Sequence, residues 1–223
     1  MGMKSWPSLT PCSATKSCPS SIFRVSLFAP KNATFSLSDE KACSSCNING
    51  KCNKEVLIVN NNAQNIDVVD FETYITKNYF AQQTKVCDKI LADRGGNRRK
   101  IMFCELTCMK EQWVEPNTGK YPQGKRARAR EQMNKSIELL LEKTVTSVNI
   151  LTFTEKICLF AWRDPNVPND ISDILPERKN VRSNMLAMMK IPSNMATQTT
   201  THHEKMNAGF QFMQIKYPRE YNW

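Results

Sequence analysis

The stretch Cys87-Asp88-Lys89-Ile90-Leu91, followed by Ile101-Met102-Phe103-Cys104-Glu105-Leu106-Thr107, decides how this chain reads. Each half is an apolar run of strand length carrying one acid. Arg94-Gly95-Gly96-Asn97 between them is a tight-turn signal, so Val86 to Ala92 and Lys100 to Thr107 are predicted to pair as an antiparallel hairpin. In the second strand, alternation puts Ile101, Phe103, Glu105 and Thr107 on one face and Met102, Cys104 and Leu106 on the other. Both faces are apolar, so the strand is expected to be central in a sheet. Glu105 breaks the pattern there, and Asp88 breaks it in the neighbour. A buried charge is costly unless compensated. Two carboxylates sharing a site repel, so either one pKa rises or a cation binds. Mg²⁺ held by Asp88 and Glu105, with substrate phosphate completing its shell, fits this pattern. Pairing of each acid with a Lys or Arg is the structural alternative.

Outward from the hairpin, the chain alternates helical and strand-like patterns. Glu55 to Asn60 is a short apolar strand. In Asp67 to Phe80 the apolar positions Val68, Phe71, Ile75 and Tyr79 have helical spacing, with Asp67 as N-cap. Cys108 to Gln123 reads as a polar loop, and Gly124 to Lys143 as a helix with Ala129, Met133, Ile137, Leu140 and Leu141 on one stripe. Strands are expected at Ser21 to Phe28, Lys156 to Trp162 and Gly209 to Tyr217, and a helix at Val181 to Met189. This order predicts an α/β fold, a mixed central sheet flanked by helices. Residues 1–54 read as a Cys-rich N-terminal arm and residues 55–223 as a single α/β domain.

The 223 residues carry a net charge of +10, which favours a polyanion as substrate or partner. The charge is clustered. Lys120, Lys125, Arg126, Arg128 and Arg130 lead into the second helix with no acid among them, and Arg98 and Arg99 lie at the hairpin turn. These are the candidate nucleic-acid-binding residues. A phosphate backbone suits a basic helix start, and projection at 100° per residue sends Arg126 toward the carboxylates. A solvated basic face is the plainer account.

Cys43-x-x-Cys46-x5-Cys52, completed by Cys18 or Cys12, has the spacing of a structural Zn²⁺ site. Free thiols or an iron–sulfur cluster are the alternatives. Cys87, Cys104 and Cys158 lie in apolar runs and read as small core residues. The two histidines, His202 and His203, sit side by side in a polar tail, so Cys–His catalysis is not expected. The apolar runs are too short to span a membrane. With no secretory signal in residues 1–21, reduced thiols and a cytoplasmic location are expected. The aromatic tail Phe210, Phe212, Tyr217, Tyr221 and Trp223 reads as a docked terminal strand or a contact in a homo-oligomer or larger complex.

An acid in an apolar strand, a turn, Phe103-Cys104-Glu105-Leu106-Thr107, and then Gly124-Lys125-Arg126-Ala127-Arg128-Ala129-Arg130-Glu131-Gln132 together resemble the PD-(D/E)xK nuclease core. The resemblance covers about residues 67 to 162. It implies a restriction-endonuclease-like fold and Mg²⁺-dependent phosphodiester hydrolysis, in a family found in antiviral defence. Asp88 and Glu105 would be the two acids, Glu72 an additional metal ligand and Gln132 the helical glutamine of the site. The motif's lysine, two residues after the second acid, is Thr107 here. Lys110, Lys125 or Arg126 is then the candidate replacement, with Lys125 placed in the catalytic set. Without such a replacement, the same resemblance implies an inactive nuclease-like binding or scaffold subunit. A structural protein of a larger particle, neutralising packaged nucleic acid, is a third reading.

Overall fold

The alternation along residues 100–108 is realised as a nine-residue strand covered on both faces. The computed structural model describes residues 27–28, 34–38, 56–60, 64–78, 85–93, 99–119, 122–141, 149–165, 204–217 and 219–223. The strands are β1 (Leu27–Phe28), β2 (Thr34–Leu37), β3 (Val56–Val59), β4 (Ile66–Asp70), β5 (Lys89–Asp93), β6 (Lys100–Cys108), β7 (Glu155–Arg163), β8 (Glu204–Lys205), β9 (Gln211–Lys216) and β10 (Glu220–Asn222). Helix α1 (Phe71–Asn78) follows β4, and α2 (Gly124–Leu141) connects β6 to β7. The fold is α/β, with mixed sheets and two helices among the described residues.

Seven strands form the main sheet in the order β1-β4-β5-β6-β7-β9-β8. From β1 through β6 neighbours run antiparallel, and β6, β7 and β9 run parallel. β6 is the fourth of the seven, with a neighbour on each side. Its odd-numbered side chains Ile101 and Phe103 pack with Ala129, Met133 and Ile137 of α2. Its even-numbered Met102, Cys104 and Leu106 pack with Phe35, Val56, Ile58 and Tyr221 of the second sheet, whose order is β10-β3-β2. Both helices therefore lie on one face of the main sheet, and a small sheet covers the other. Burying Ile101, Met102, Phe103 and Leu106 stabilises the fold by about 1.5–3 kcal/mol each. That is enough to tolerate a charged group in the same strand.

Several expectations are corrected. Residues 66–70 are a strand, and the helix begins at Phe71. The consecutive β-branched Val68 and Val69 pair with β1 and β5, and this pairing overrides the helical spacing. Asp67 is buried within β4, and the helix is capped by Asp70, whose Oδ1 accepts from Thr73 N at 3.1 Å. Val56–Val59 belongs to the second sheet. Strand β2 was not expected, and the end of the aromatic tail, read as a docked terminal strand, pairs as β10 in the second sheet; each is short and is held by β3. In α2, Ser136 and Leu139 join the buried stripe, whereas Leu141 is exposed. Residues 27–28 and 34–37, part of the expected N-terminal arm, pair with β4 and β3. The expected helix at 181–189 lies outside the described residues. Among the described residues, no helix is long and apolar enough to cross a membrane.

Candidate active site

β5 and β6 pair with Lys89 opposite Cys104 and Ala92 opposite Ile101. One step beyond Lys89, the same register sets Asp88 opposite Glu105. Both acids are buried, at 4 % and 2 % exposure. Asp88 is fixed at both its side chain and its backbone. Leu106 N donates to its Oδ2 at 2.6 Å, and the amides of Phe71 and Glu72 donate to its carbonyl at 3.0 and 3.3 Å. Glu105 is met from the helix side. Its Oε1 accepts from Lys125 Nζ at 3.0 Å and its Oε2 from Gln132 Nε2 at 3.1 Å. The same Gln132 amide donates to the Val86 carbonyl at 3.2 Å. Asp88, Glu105, Lys125 and Gln132 thus converge where β5 begins and β6 nears its end.

The lysine reaches Glu105 because of how α2 starts. Gly124 has φ +74°, a conformation that favours glycine. A Cβ there would lie 2.6 Å from both the Val114 carbonyl oxygen and the Glu115 carbonyl carbon. The backbone of 114–116 therefore seats directly on the helix start, and Arg126 N donates to Val114 O at 3.0 Å. Arg126 does not extend toward the carboxylates as projected. It bonds Glu204 and Glu115 and lies 5.7 Å from the Phe212 ring, because acids outside the helix capture it. Thr107 is half-buried on the same face of β6 as Glu105, and Lys110 is exposed ahead of a short 3₁₀ helix at Glu111–Trp113.

The two buried carboxylates supply hard oxygen donors of the kind Mg²⁺ takes, an ion that keeps several waters and commonly uses one or two carboxylates plus phosphate. Glu72 lies in the first turn of α1. Among the described residues, no group of three or more His, Cys, Asp or Glu could hold a metal. Cys18, Cys43, Cys46 and Cys52 lie outside the described residues, as do Arg98 and Lys120. Of the remaining basic residues, Arg128 is exposed, Arg130 pairs with Glu204 and Arg99 pairs with Glu155.

Ser136 was missed in the sequence. Fully buried one turn beyond Gln132, its Oγ accepts from Cys87 N and donates to Gln132 O, each at 2.8 Å. It ties α2 to the backbone preceding Asp88. Its place on the α2 stripe was the available signal. Glu204 was also missed, and nothing local marks it. Cys87, Cys104 and Cys158 are buried. Burial pushes the Cys87 thiol well up against the Ser136 hydrogen bond, and the Glu105 and Asp88 charges add to the rise. A thiol so raised is a poor nucleophile.

Comparison with protein-family models, with curated proteins and with solved structures finds no match for this chain.

Proposed function

We propose that this chain is a metal-dependent phosphodiesterase of nucleic acid built on a restriction-endonuclease-like core. The observation that carries the reading is Glu105 held by Lys125 and Gln132, with the buried Asp88 beside it at the start of β5, accepting from the amide of Leu106. The antiparallel run β4-β5-β6, the α2 crossover and the parallel strand β7 support the core assignment. Asp88 and Glu105 would hold the metal. Bound there, a divalent ion supplies phosphate neutralisation and a more acidic water. Lys125 supplies the positive charge that Thr107 lacks, and stabilises charge developing on the phosphate. Gln132 holds Glu105 in orientation, as the Leu106 amide holds Asp88.

A second reading has its own support. Lys125 and Gln132 already satisfy both oxygens of Glu105 within the chain. On that reading the core binds nucleic acid, as a subunit of a larger complex, without cutting it. Incubation with plasmid, single-stranded DNA and RNA in Mg²⁺ or Mn²⁺ separates the two. Cleavage that is lost in Glu105→Gln is the expected result. Cleavage that survives this substitution overturns the site. Salt-dependent binding without cleavage in either metal establishes the second reading.

A further inference from the structure

We infer that Arg126, Arg130 and Phe212 form a separate phosphate seat for the nucleic-acid strand, and that Glu204 fills it as an internal stand-in for phosphate. The inference rests on nucleic acid being the ligand, and it adds a competitor to that reading. The geometry is that of an anion clamp. One oxygen of Glu204 bonds Arg126 Nη2, and the other lies 2.6 Å from Arg130 Nη1. The two arginines are four residues apart on α2, so they share one face. Both guanidinium carbons stand 5.7 Å from the centroid of Phe212, which is fully buried and holds them in place. Glu204 sits directly across from Phe212 in the β8–β9 register.

Two features indicate that a carboxylate is not the best occupant. First, Arg126 Nε and Arg130 Nε are buried and make no hydrogen bond. A phosphodiester offers ester oxygens as well as two non-bridging ones, and the guanidinium fork matches that set. Second, Glu204 is held on a two-residue strand at the sheet's edge, joined to β9 through two residue pairs. Moving it aside disrupts little. Four helical residues span about 6 Å, so the two guanidinium groups can share one phosphate as they share the Glu204 carboxylate. Competition by Glu204 selects for polymers. A lone phosphate must displace the acid with one contact, whereas a strand does so with several.

The test is binding of a short fluorescein-labelled single-stranded DNA, followed by anisotropy in EDTA. The forms compared are wild type, Glu204→Gln, Arg126→Gln/Arg130→Gln, the triple variant and Glu138→Gln. Glu138 is an exposed acid later on α2, paired with Lys135, and controls for the loss of one negative charge. Glu204→Gln is expected to bind about three- to fivefold tighter than wild type, the upper range for a partly exposed ion pair. Glu138→Gln should bind less tightly than Glu204→Gln. The gain should vanish when both arginines are replaced. Equal effects of Glu204→Gln and Glu138→Gln overturn the proposal, as does a gain that persists without the arginines, or no binding by any form. Cleavage by Glu105→Gln, measured in parallel, tests the nuclease reading separately. Either idea can fail while the other stands.

Discussion

The β5–β6 pair carries a buried acid at each end, and the two ends are built differently. At one end Asp93 lies opposite Lys100. Its Oδ2 accepts from Lys100 N at 2.7 Å and its Oδ1 from Trp223 Nε1 at 3.1 Å. Lys100 Nζ is 3.0 Å from Glu155 and stands over the rings of Tyr221 and Trp223. At the other end, Asp88 also accepts a cross-strand amide, but its opposite residue is a second acid, Glu105. An acid opposite a lysine fastens a sheet. An acid opposite an acid works against it. Lys125 and Gln132 must come from a separate helix to steady the second arrangement.

This contrast fails if the two ends respond alike. Glu105→Gln should lower cleavage by more than about a hundredfold, since loss of a mere supporting partner of a metal ligand already costs about 10–100-fold. Its melting temperature should change less than that of Asp93→Ala, because removing one like charge offsets part of the loss of the Lys125 ion pair; calorimetry beside a cleavage assay checks both. Asp93→Ala should do the reverse. The buried Lys100 amide loses its acceptor, at about 1–3 kcal/mol before water repairs the loss, while Trp223 Nε1 keeps Gln64 Oε1 at 3.2 Å; denaturant unfolding would register it. The cleavage rate of the remaining folded protein should hardly change. Gly124→Ala sharpens the comparison from the helix side. The added Cβ meets backbone atoms at 2.6 Å, so a loss of about 1–3 kcal/mol is expected. Cleavage should fall as well, because the displaced turn carries Lys125. The smallest effect belongs to Glu155. Burial pushes its carboxyl up, but Lys100 and Arg99 outweigh this and hold it below its ordinary 4.5. Such an acid stabilises the fold above its unfolded value, and the benefit is lost as pH falls through its folded value. With the side chain 40 % exposed, screening leaves less than about 1 kcal/mol. Acid unfolding of Glu155→Gln should be flatter than that of wild type below the ordinary glutamate range.

The acid pair was legible because alternation is a local property. Glu105 stands out in an apolar run whatever surrounds it, and one glycine turn is enough to bring Asp88 across from it. The helix over 124–141 was legible for the same reason. Lys125 was one of three candidates for the missing lysine, and helical projection pointed instead to Arg126. Two things the sequence does not display put Lys125, rather than Arg126, beside Glu105. The backbone of 114–116 packs against Gly124, and Glu204 draws Arg126 away from across 78 positions. Residues 66–70 misled because Val68, Phe71 and Ile75 fit a helical spacing, while the partners that make them a strand lie in β1 and β5. The covering sheet escaped notice because β2 and β10 are short and only β3 makes them strands.

Sequence separation has a consequence for the order of assembly. The contacts that build the acid pair span 18, 20 and 27 residues. Of the two bonds that fasten the opposite end, Lys100 to Asp93 spans 7 and Trp223 to Asp93 spans 130. Closing a loop of 130 rather than 20 residues costs about 1.7 kcal/mol more in chain entropy. Kinetically, then, the two bonds to Asp93 belong to different stages. The Lys100 bond closes with the hairpin, and the cluster around Asp88 and Glu105 follows from a contiguous segment with its own helix. Only the Trp223 bond waits for the last strand to return. Slow steps in refolding should therefore be set by the fastening, with the carboxylate cluster already formed.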